Sequence, residues 1–236
     1  MHLAILMTNT DDSEFAQRHP KDGEKFTGLI RIAQPGWRTS VFAVKDGDFP
    51  QDLFEFDGAV ITGSPASVRS GAPWVVQLLD LIRDAHARKF PLFGACFGHQ
   101  AIALALGGGL DLNPDGWVHG LTRNKLLNRP DWAAPLPDEV KLYGSHCECV
   151  RKLPMGAAAF SASGGVNTGF TLGSHIFTTQ HHPEMTHDFI TALTKEMQQT
   201  LGPEAYARAL DSLAGCSDQQ AFAESLARFF EQALQP

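Results

Sequence analysis

Two short stretches of the chain carry the residue types of covalent catalysis. In "GACFGHQ", Cys96 stands between Gly94 and Gly98, where an apolar run meets an Ala- and Leu-rich stretch with helical periodicity. In "QHHPE", Glu184 follows His182 by two residues with a rigid proline between them. A thiol nucleophile, an imidazole base and an orienting carboxylate are the components of a catalytic triad. The two stretches together predict nucleophilic catalysis by Cys96.

The residues around the cysteine predict a sharp turn from a strand into a helix. Such an elbow exposes one side chain at the top of a sheet, and it needs small residues two positions before and after because the turn is crowded. Gly94 and Gly98 occupy those positions. The N-terminus of the following helix also favours thiolate over thiol. The alternative is a buried cysteine in a Gly-rich turn, since cysteine is among the most buried residue types.

The His-Pro-Glu stretch is ambiguous by itself. Residues i and i+2 of an extended chain lie on one face, so Glu184 can hold the His182 ring while its other nitrogen faces a thiol. A solvated His–Glu pair at a strand end is the alternative for this stretch in isolation. His181 is a second candidate for the base, but the spacing to Pro183 and Glu184 favours His182.

Short apolar runs that alternate with helical patterns predict the scaffold of this site. We expect strands at 3–8, 39–44, 59–65 and 91–95, and helices at 73–88 and from about 97. This order is typical of βαβ units. Shorter strands are expected between 110 and 180, and helices over 186–232. The prediction is an α/β fold with a mostly parallel central sheet in three layers, forming a single domain over 1–236 with 186–236 as a helical C-terminal segment.

Composition and charge exclude several classes of protein. The 236 residues and 43% hydrophobic content suit one large α/β domain. A net charge of −7 without a basic run argues against a nucleic-acid partner. No apolar stretch is long enough to span a bilayer, and the N-terminus is typical of a first strand rather than a signal peptide. Four cysteines without a secretory signal predict a reducing, cytoplasmic compartment.

Considered together, the two motifs strongly resemble those of class I glutamine amidotransferases, with His-Pro-Glu about 85 residues after the nucleophile. The resemblance covers about residues 3–190 and is greatest to stand-alone proteins similar to the glutaminase domain of guanosine monophosphate synthetase. It implies a flavodoxin-like class I glutaminase fold and no cofactor. It also implies that Cys96 is the nucleophile, His182 the general base and acid, and Glu184 the residue that orients His182.

The same resemblance assigns an oxyanion site. "DGAVITGSPASV" (57–68) looks like the family's oxyanion strand and loop, and the backbone N–H groups of Ser64 and Phe97 match its two donors. The usual Gly-Gly-Pro is Gly63-Ser64-Pro65 here, which we interpret as a mark of a subfamily.

Substrate-binding residues are also implied by the resemblance. "GWVHG" (116–120) and "GSHCECV" (144–150) look like loops of the glutamine pocket. Within them, Ser145, Cys147 and Glu148 match the loop that holds the α-amino and α-carboxylate groups. Gln100 matches a residue that supports the substrate amide, and its alternative is a helix-surface glutamine.

The segment "SHCEC" also suggests a metal site. His146, Cys147 and Cys149 are of the types that bind zinc, but C-x-C without a second cysteine pair is a weak signal. A substrate loop explains the segment without a metal, so we expect none. A redox link between Cys147 or Cys149 and Cys96 has no support in the sequence.

Three functions stay open at this point. The first is a glutaminase that supplies ammonia to a separate synthetase chain, since the sequence contains no G-x-x-x-x-G-K-[ST] loop. The second is a γ-glutamyl peptidase that works alone on small peptides or conjugates. The third is a non-catalytic binding protein on the same fold, against which the intact triad argues. The expected partner is a small molecule, glutamine or a γ-glutamyl compound, and neither a nucleic acid nor a membrane.

Overall fold

The computed structural model describes residues 1–114 and 116–234. Its strands are β1 (His2–Leu6), β2 (Arg38–Phe42), β3 (Gly58–Ile61), β4 (Leu92–Ala95), β5 (Gly109–Leu112), β6 (Val118–Leu126), β7 (Glu139–His146), β8 (Glu148–Lys152), β9 (Ala158–Ser163), β10 (Val166–Leu172) and β11 (Ile176–Thr179). Its α-helices are α1 (Glu14–Gln17), α2 (Asp22–Ala33), α3 (Pro73–Ala87), α4 (Phe97–Ala105), α5 (His187–Glu196), α6 (Gln198–Ser212) and α7 (Gln219–Ala233).

Nine strands form the central sheet in the order β2-β1-β3-β4-β11-β10-β9-β6-β7. The pairs from β2 to β11 are parallel, and those from β11 to β7 are antiparallel. The predicted α/β fold, a large and mostly parallel sheet flanked by helices, is confirmed. Sequence reasoning did not anticipate that β5 and β8 form a separate two-stranded antiparallel sheet.

Alternation along the strands builds the two layers of core. Successive side chains of a strand point to opposite faces. Leu3 and Ile5 of β1 pack in the cluster with α2 and α7, whereas Ala4 and Leu6 pack in the cluster with α3 and α4. Because both faces are covered, the central strands β3 and β4 are apolar and buried throughout rather than alternating.

The last helix belongs to this same core. Phe222, Phe229 and Phe230 of α7 are buried among side chains of β1, β4 and β11. Thr186 caps the N-terminus of helix α5, since its hydroxyl accepts a hydrogen bond from the Phe189 N–H at 3.2 Å. No helix in the described part of the chain is long and apolar enough to cross a membrane. The domain limits drawn from the sequence stay a prediction.

Candidate active site

Cys96 lies at the turn between β4 and α4 in an unusual backbone conformation. Its φ of 51° and ψ of −104° lie outside the regions that L-residues prefer. Its N–H donates to the carbonyl of Thr179 at 2.9 Å, which ties the turn to the end of β11. The turn therefore holds the cysteine at the carboxyl ends of two adjacent parallel strands.

The two flanking glycines allow this turn to form. A Cβ atom at Gly98 would lie 2.3 Å from the carbonyl oxygen of Ile61, and one at Gly94 would lie 2.6 Å from the carbonyl carbon of Gly98. Both contacts are with backbone atoms, which cannot rotate away as a side chain can. The elbow predicted from the glycine spacing thus has a direct steric cause.

Replacing Gly98 with alanine is expected to lower the free energy of unfolding by about 3 kcal/mol, because the methyl group overlaps the backbone of β3. Urea denaturation measures this loss. The matched control is Gly28→Ala in α2, where a Cβ has no atom within 4 Å and the exchange should be neutral or stabilising by about 0.5–1 kcal/mol. Equal stability of the two variants would contradict the steric account of the elbow.

His182 and Glu184 form a buried hydrogen-bonded pair. His182 Nδ1 lies 2.7 Å from Glu184 Oε1, and the residues are 6% and 3% exposed. The His182 N–H donates to the carbonyl of Tyr143 at 2.8 Å, which fixes the backbone. Burial by itself lowers the pKa of His182, but the charges of Glu184 and Cys96 outweigh it and hold this pKa well above 6.5. The solvated His–Glu pair considered for this stretch does not occur.

Cys96 and His182 meet across Gly63, at the end of β3. A Cβ atom at Gly63 would lie 2.7 Å from His182 Cε1 and 3.5 Å from Cys96 Cβ. A side-chain hydrogen bond with Cys96 contributes to the raised pKa of His182. His181 has a different environment, since its Nε2 lies 2.8 Å from Asn124 Oδ1 and its ring is absent from the cleft lining. The arrangement lets His182, rather than His181, exchange a proton with Cys96.

The backbone donors predicted for an oxyanion lie on both sides of the cysteine. Ser64 lines the cleft with Cys96, and Phe97 is the first residue of α4. Within residues 1–114 and 116–234, neither N–H donates a hydrogen bond. The next amide, that of Gly98, is already used, because it donates to the carbonyl of Thr62 at 3.1 Å. The chemical role of Ser64 and Phe97 stays a prediction.

The structure separates the predicted substrate-binding residues. Ser145 lines the cleft, whereas Gln100, Cys147 and Glu148 do not. Gln100 is buried rather than on the helix surface, and its Nε2 donates to the carbonyl of Glu148 at 3.2 Å. Glu148 forms an ion pair with Arg69, in the loop that follows β3. Burial raises the pKa of the Cys147 thiol, and the charges of Glu148 and Cys96 reinforce that effect.

Ser145 is held by a residue that sequence reasoning did not single out. His119 Nδ1 lies 3.1 Å from Ser145 Oγ, and His119 Nε2 lies 3.0 Å from Thr194 Oγ1. Thr194 donates its hydroxyl proton to the carbonyl of Ile190 at 2.7 Å. The Thr194 oxygen therefore accepts a hydrogen bond from the Nε2–H group of His119. Burial and His182 lower the pKa of His119 to about 4, so the ring is neutral and its Nδ1 accepts the Ser145 proton. Ser145 therefore presents lone pairs to the cleft.

A second residue missed from the sequence supports the His-Pro-Glu segment. The Gln219 Nε2 atom donates to the carbonyls of Pro183 at 2.7 Å and Met185 at 3.2 Å. Gln219 is the first residue of α7, more than thirty positions from the segment it holds. No local sequence signal connects them, because only the packing of α7 on the sheet brings Gln219 there.

Three more buried imidazoles interact electrostatically with one another or with His182. His99, His146 and His181 are at most 6% exposed, and burial lowers the pKa of His99 to about 3 and that of His146 to about 4. The pKa of His181 also lies well below 6.5 because of its burial. All three rings are neutral at pH 7. Among the residues described, no cluster of three His, Cys, Asp or Glu side chains is arranged to hold a metal ion.

Cys96, His182, Gly63 and Ser145 share one cleft of about 420 Å³. This volume lies within the range of about 300–1,000 Å³ that is usual for small-molecule sites. The other walls are the segment 9–22 and the helix α5, with Trp117 of the predicted substrate loop also in the lining. Sequence reasoning did not find the contribution of α5, since its residues carry no catalytic pattern.

The fold and this site define an α/β protein with a cysteine and a histidine in one cleft, and comparison with known proteins assigns its family. Residues 31–192 match the model of the class I glutamine amidotransferase family. The chain belongs to that family. It is 30% identical over 195 residues to "Gamma-glutamyl peptidase 3" of Arabidopsis thaliana, and the alignment covers 78% of each chain.

Two further comparisons agree with this assignment. Over 141 residues the chain is 30% identical to a glutamine-hydrolyzing GMP synthase subunit of Saccharolobus solfataricus, covering 58% of this chain and 72% of that one. A crystal structure of a glutamine amidotransferase from Thermotoga maritima superposes with a TM-score of 0.78 at 17% identity, over 100% of this chain and 98% of that one. The second comparison shows the likeness of fold alone.

Proposed function

We propose that the chain is a cysteine hydrolase that cleaves the γ-amide bond of glutamine or of a γ-glutamyl compound. One observation carries the proposal, namely the convergence of Cys96 and the His182–Glu184 pair at Gly63 in a single cleft. A binding protein on this fold has no need for a strained cysteine beside a buried, carboxylate-bound imidazole.

Each group has a defined step in this reaction. The Cys96 thiolate attacks the γ-carbonyl carbon, and the N–H groups of Ser64 and Phe97 stabilise the oxyanion. The C–N bond breaks as His182, charged beside Glu184, gives its proton to the leaving amine. His182 then takes a proton from water, which attacks the thioester. The C–S bond breaks, glutamate leaves, and the thiolate is restored. Water is the sole co-reactant.

Ser145 suits the other end of the substrate. Because His119 takes the Ser145 proton, the serine oxygen is free to accept a hydrogen bond from the α-ammonium group of a γ-glutamyl substrate. This supports the role that the family resemblance implies for Ser145. Gln100 and Glu148 then act indirectly. Gln100 holds β8 through the carbonyl of Glu148, and the Glu148 side chain holds the loop after β3 through Arg69.

A γ-glutamyl peptidase that works alone is the favoured form of this activity. An ammonia leaving group is about the size of water, whose share of liquid volume is about 30 Å³. The cleft of about 420 Å³ offers room for a larger leaving group. The relative named as a γ-glutamyl peptidase, similar over 78% of both chains, supports the same choice. Supply of ammonia to a separate synthetase is the second candidate for the function.

The four free cysteines support a reducing, cytoplasmic location.

Glutamate release by the purified chain, from glutamine and from a γ-glutamyl tripeptide, tests the proposal. We expect Cys96→Ser to lower the rate by at least about 10³-fold, because the thioester can no longer form. The matched control is Cys216→Ser, at an exposed cysteine, which should leave the rate unchanged. Cleavage of the tripeptide by the chain alone supports the peptidase, and cleavage of glutamine alone supports the ammonia donor. Turnover that survives Cys96→Ser would overturn the proposal.

A further inference from the structure

The cleft continues past the triad into a groove with a distinctive lining. We call this part the leaving-group groove and define it by the segment 11–25 on one side and residues 185–193 on the other. Its large apolar side chains are Phe15, Met185, Phe189 and Leu193. Helix α5 spans both ends of the cleft, since Phe189 contacts Phe15 whereas Met197 lies 3.6 Å from Ser145. The groove and the Ser145 pocket therefore lie at different ends of the cleft.

Aromatic contacts fix the shape of the groove. The ring centroids of Phe15 and Phe189 lie 5.9 Å apart, and the His19 ring lies 4.4 Å from Phe15 and 5.3 Å from Phe189. The ammonium group of Lys25 stands 3.5 Å from the centroid of the Phe189 ring. These contacts hold the wall in place before a ligand arrives, so an apolar ligand group binds there without a large ordering cost.

The charges around the groove are unequal. In the lining of the cleft as a whole, carboxylates outnumber ammonium groups by five to three; they are Asp11, Asp12, Asp22, Asp46 and Glu196, against Lys21, Lys25 and Lys45. Asp11, in the groove, and Glu196, at the end of α5, form no ion pair with another described residue. The cleft that contains the groove is therefore lined by a net negative charge.

Each lysine of the groove is already engaged within the protein. Lys25 lies 3.0 Å from Asp22, in addition to its position over Phe189. Lys45 lies 3.0 Å from Asp46 and 3.9 Å from Asp12. Lys21 donates to the carbonyl of Ala16 at 3.2 Å. Lys21 is thus the one lysine of the described lining without a carboxylate partner, and a carboxylate on a leaving group would meet more acidic than basic side chains.

We infer that the preferred substrate is a γ-glutamyl amide whose leaving amine has an apolar, aromatic-sized body and no carboxylate. The inference rests on the proposed function and names the substrate class of the same site. The apolar wall attracts the body of the amine by burying its surface. The excess of carboxylates repels an amino acid or peptide leaving group that ends in a carboxylate.

A matched series of substrates tests the inference with the unmodified chain. γ-Glutamyl-phenethylamide and γ-glutamyl-phenylalanine differ only by the carboxylate, and γ-glutamyl-ethylamide lacks the ring. We expect kcat/KM for the phenethylamide to exceed that for each of the others by at least about 10-fold. The difference from γ-glutamyl-phenylalanine should shrink as the salt concentration rises from about 0.05 M to about 0.5 M, because screening weakens the repulsion.

Variants separate the groove from the chemistry. Phe189→Ala should lower kcat/KM for the phenethylamide by about 10-fold and change that for the ethylamide by less than about threefold. Phe189→Leu, which keeps an apolar wall, should restore most of the loss. The control is Met155→Ala, at a side chain that is 96% exposed and outside the cleft lining.

The outcomes distinguish the inference from the function on which it rests. A faster reaction with γ-glutamyl-phenylalanine, or equal rates for all three amides, overturns the leaving-group inference and leaves the hydrolase intact. If neither glutamine nor any of the three amides is cleaved, the proposed function itself is overturned. Preference for the phenethylamide that persists at all salt concentrations supports the apolar wall and overturns the electrostatic part.

Discussion

Replacing Glu184 with glutamine is expected to lower the rate of glutamate release by about 10³–10⁴-fold, the range seen when a triad loses the charge of its orienting carboxylate. Glu184 Oε1 lies 2.7 Å from His182 Nδ1, and both residues are buried. The amide keeps the volume but removes the charge that holds the pKa of His182 well above 6.5. The imidazolium that protonates the leaving amine then loses its main support.

A pH profile separates this effect from simple misfolding. Because removal of the Glu184 charge lowers the pKa of His182, the alkaline limb of the profile should move to lower pH in Glu184→Gln. The double variant Glu184→Gln with His182→Asn should be little worse than His182→Asn, since the pair acts as one unit. Glu204→Gln, at an exposed residue of α6, is the matched control and should keep the full rate. Additive losses in the double variant would argue against the triad.

A fall from pH 7.5 to pH 5.5 is expected to lower the free energy of unfolding by about 5 kcal/mol. Five imidazoles have a lowered pKa mainly because of burial; they are His99, His119, His146, His175 and His181. In the unfolded chain each takes up a proton near pH 6.5, whereas in the folded chain its pKa lies well below that. Each therefore contributes stability above pH 6.5 that is lost on acidification, by about 1.4 kcal/mol at pH 5.5, and the raised pKa of His182 offsets about one such contribution.

Two variants test this acid sensitivity with opposite signs. His175→Asn removes one imidazole whose pKa of about 4 reflects its burial and the nearby His86 and Lys89. Its loss of stability between pH 7.5 and 5.5 should be smaller by about 1.4 kcal/mol. His182 has a raised pKa, so its contribution is complete below pH 6.5 and is lost at high pH. His182→Gln should therefore lose more stability on acidification than the unmodified chain. An equal loss in the two variants would contradict the opposite pKa shifts assigned to His175 and His182.

A loss of about 5 kcal/mol is large beside a typical total stability of about 5–15 kcal/mol. Urea denaturation at the two pH values measures it directly. The expected consequence is unfolding near pH 5. Unchanged stability at pH 5.5 would show that the buried rings are already charged or solvated in the folded chain.

Local chemistry and periodicity were enough to predict much of the fold. The strands β1, β2 and β4 and the helix α3 lie within about two residues of their predicted limits, because buried parallel strands and an amphipathic helix each have a clear pattern. The strand β3 begins within one residue of its predicted start but ends four residues earlier than predicted, at Ile61, because Gly63-Ser64-Pro65 forms a loop. The small sheet of β5 and β8 was missed. Its pairing joins segments about forty residues apart in the chain, and no local pattern encodes such a pairing.

The sequence by itself predicted the residues that we propose for the chemistry of this protein. The glycines beside Cys96 and the proline between His182 and Glu184 constrain the backbone locally, so their spacing predicts an elbow and an ordered pair. Only the tertiary structure decided what surrounds that chemistry. It distinguished His182 from His181, because His181 is hydrogen-bonded to Asn124. It also brought Gln219 into contact with the His-Pro-Glu segment. The groove between the segment 11–25 and α5 is likewise a product of packing, because its two walls are joined by side-chain contacts across more than 150 residues of chain.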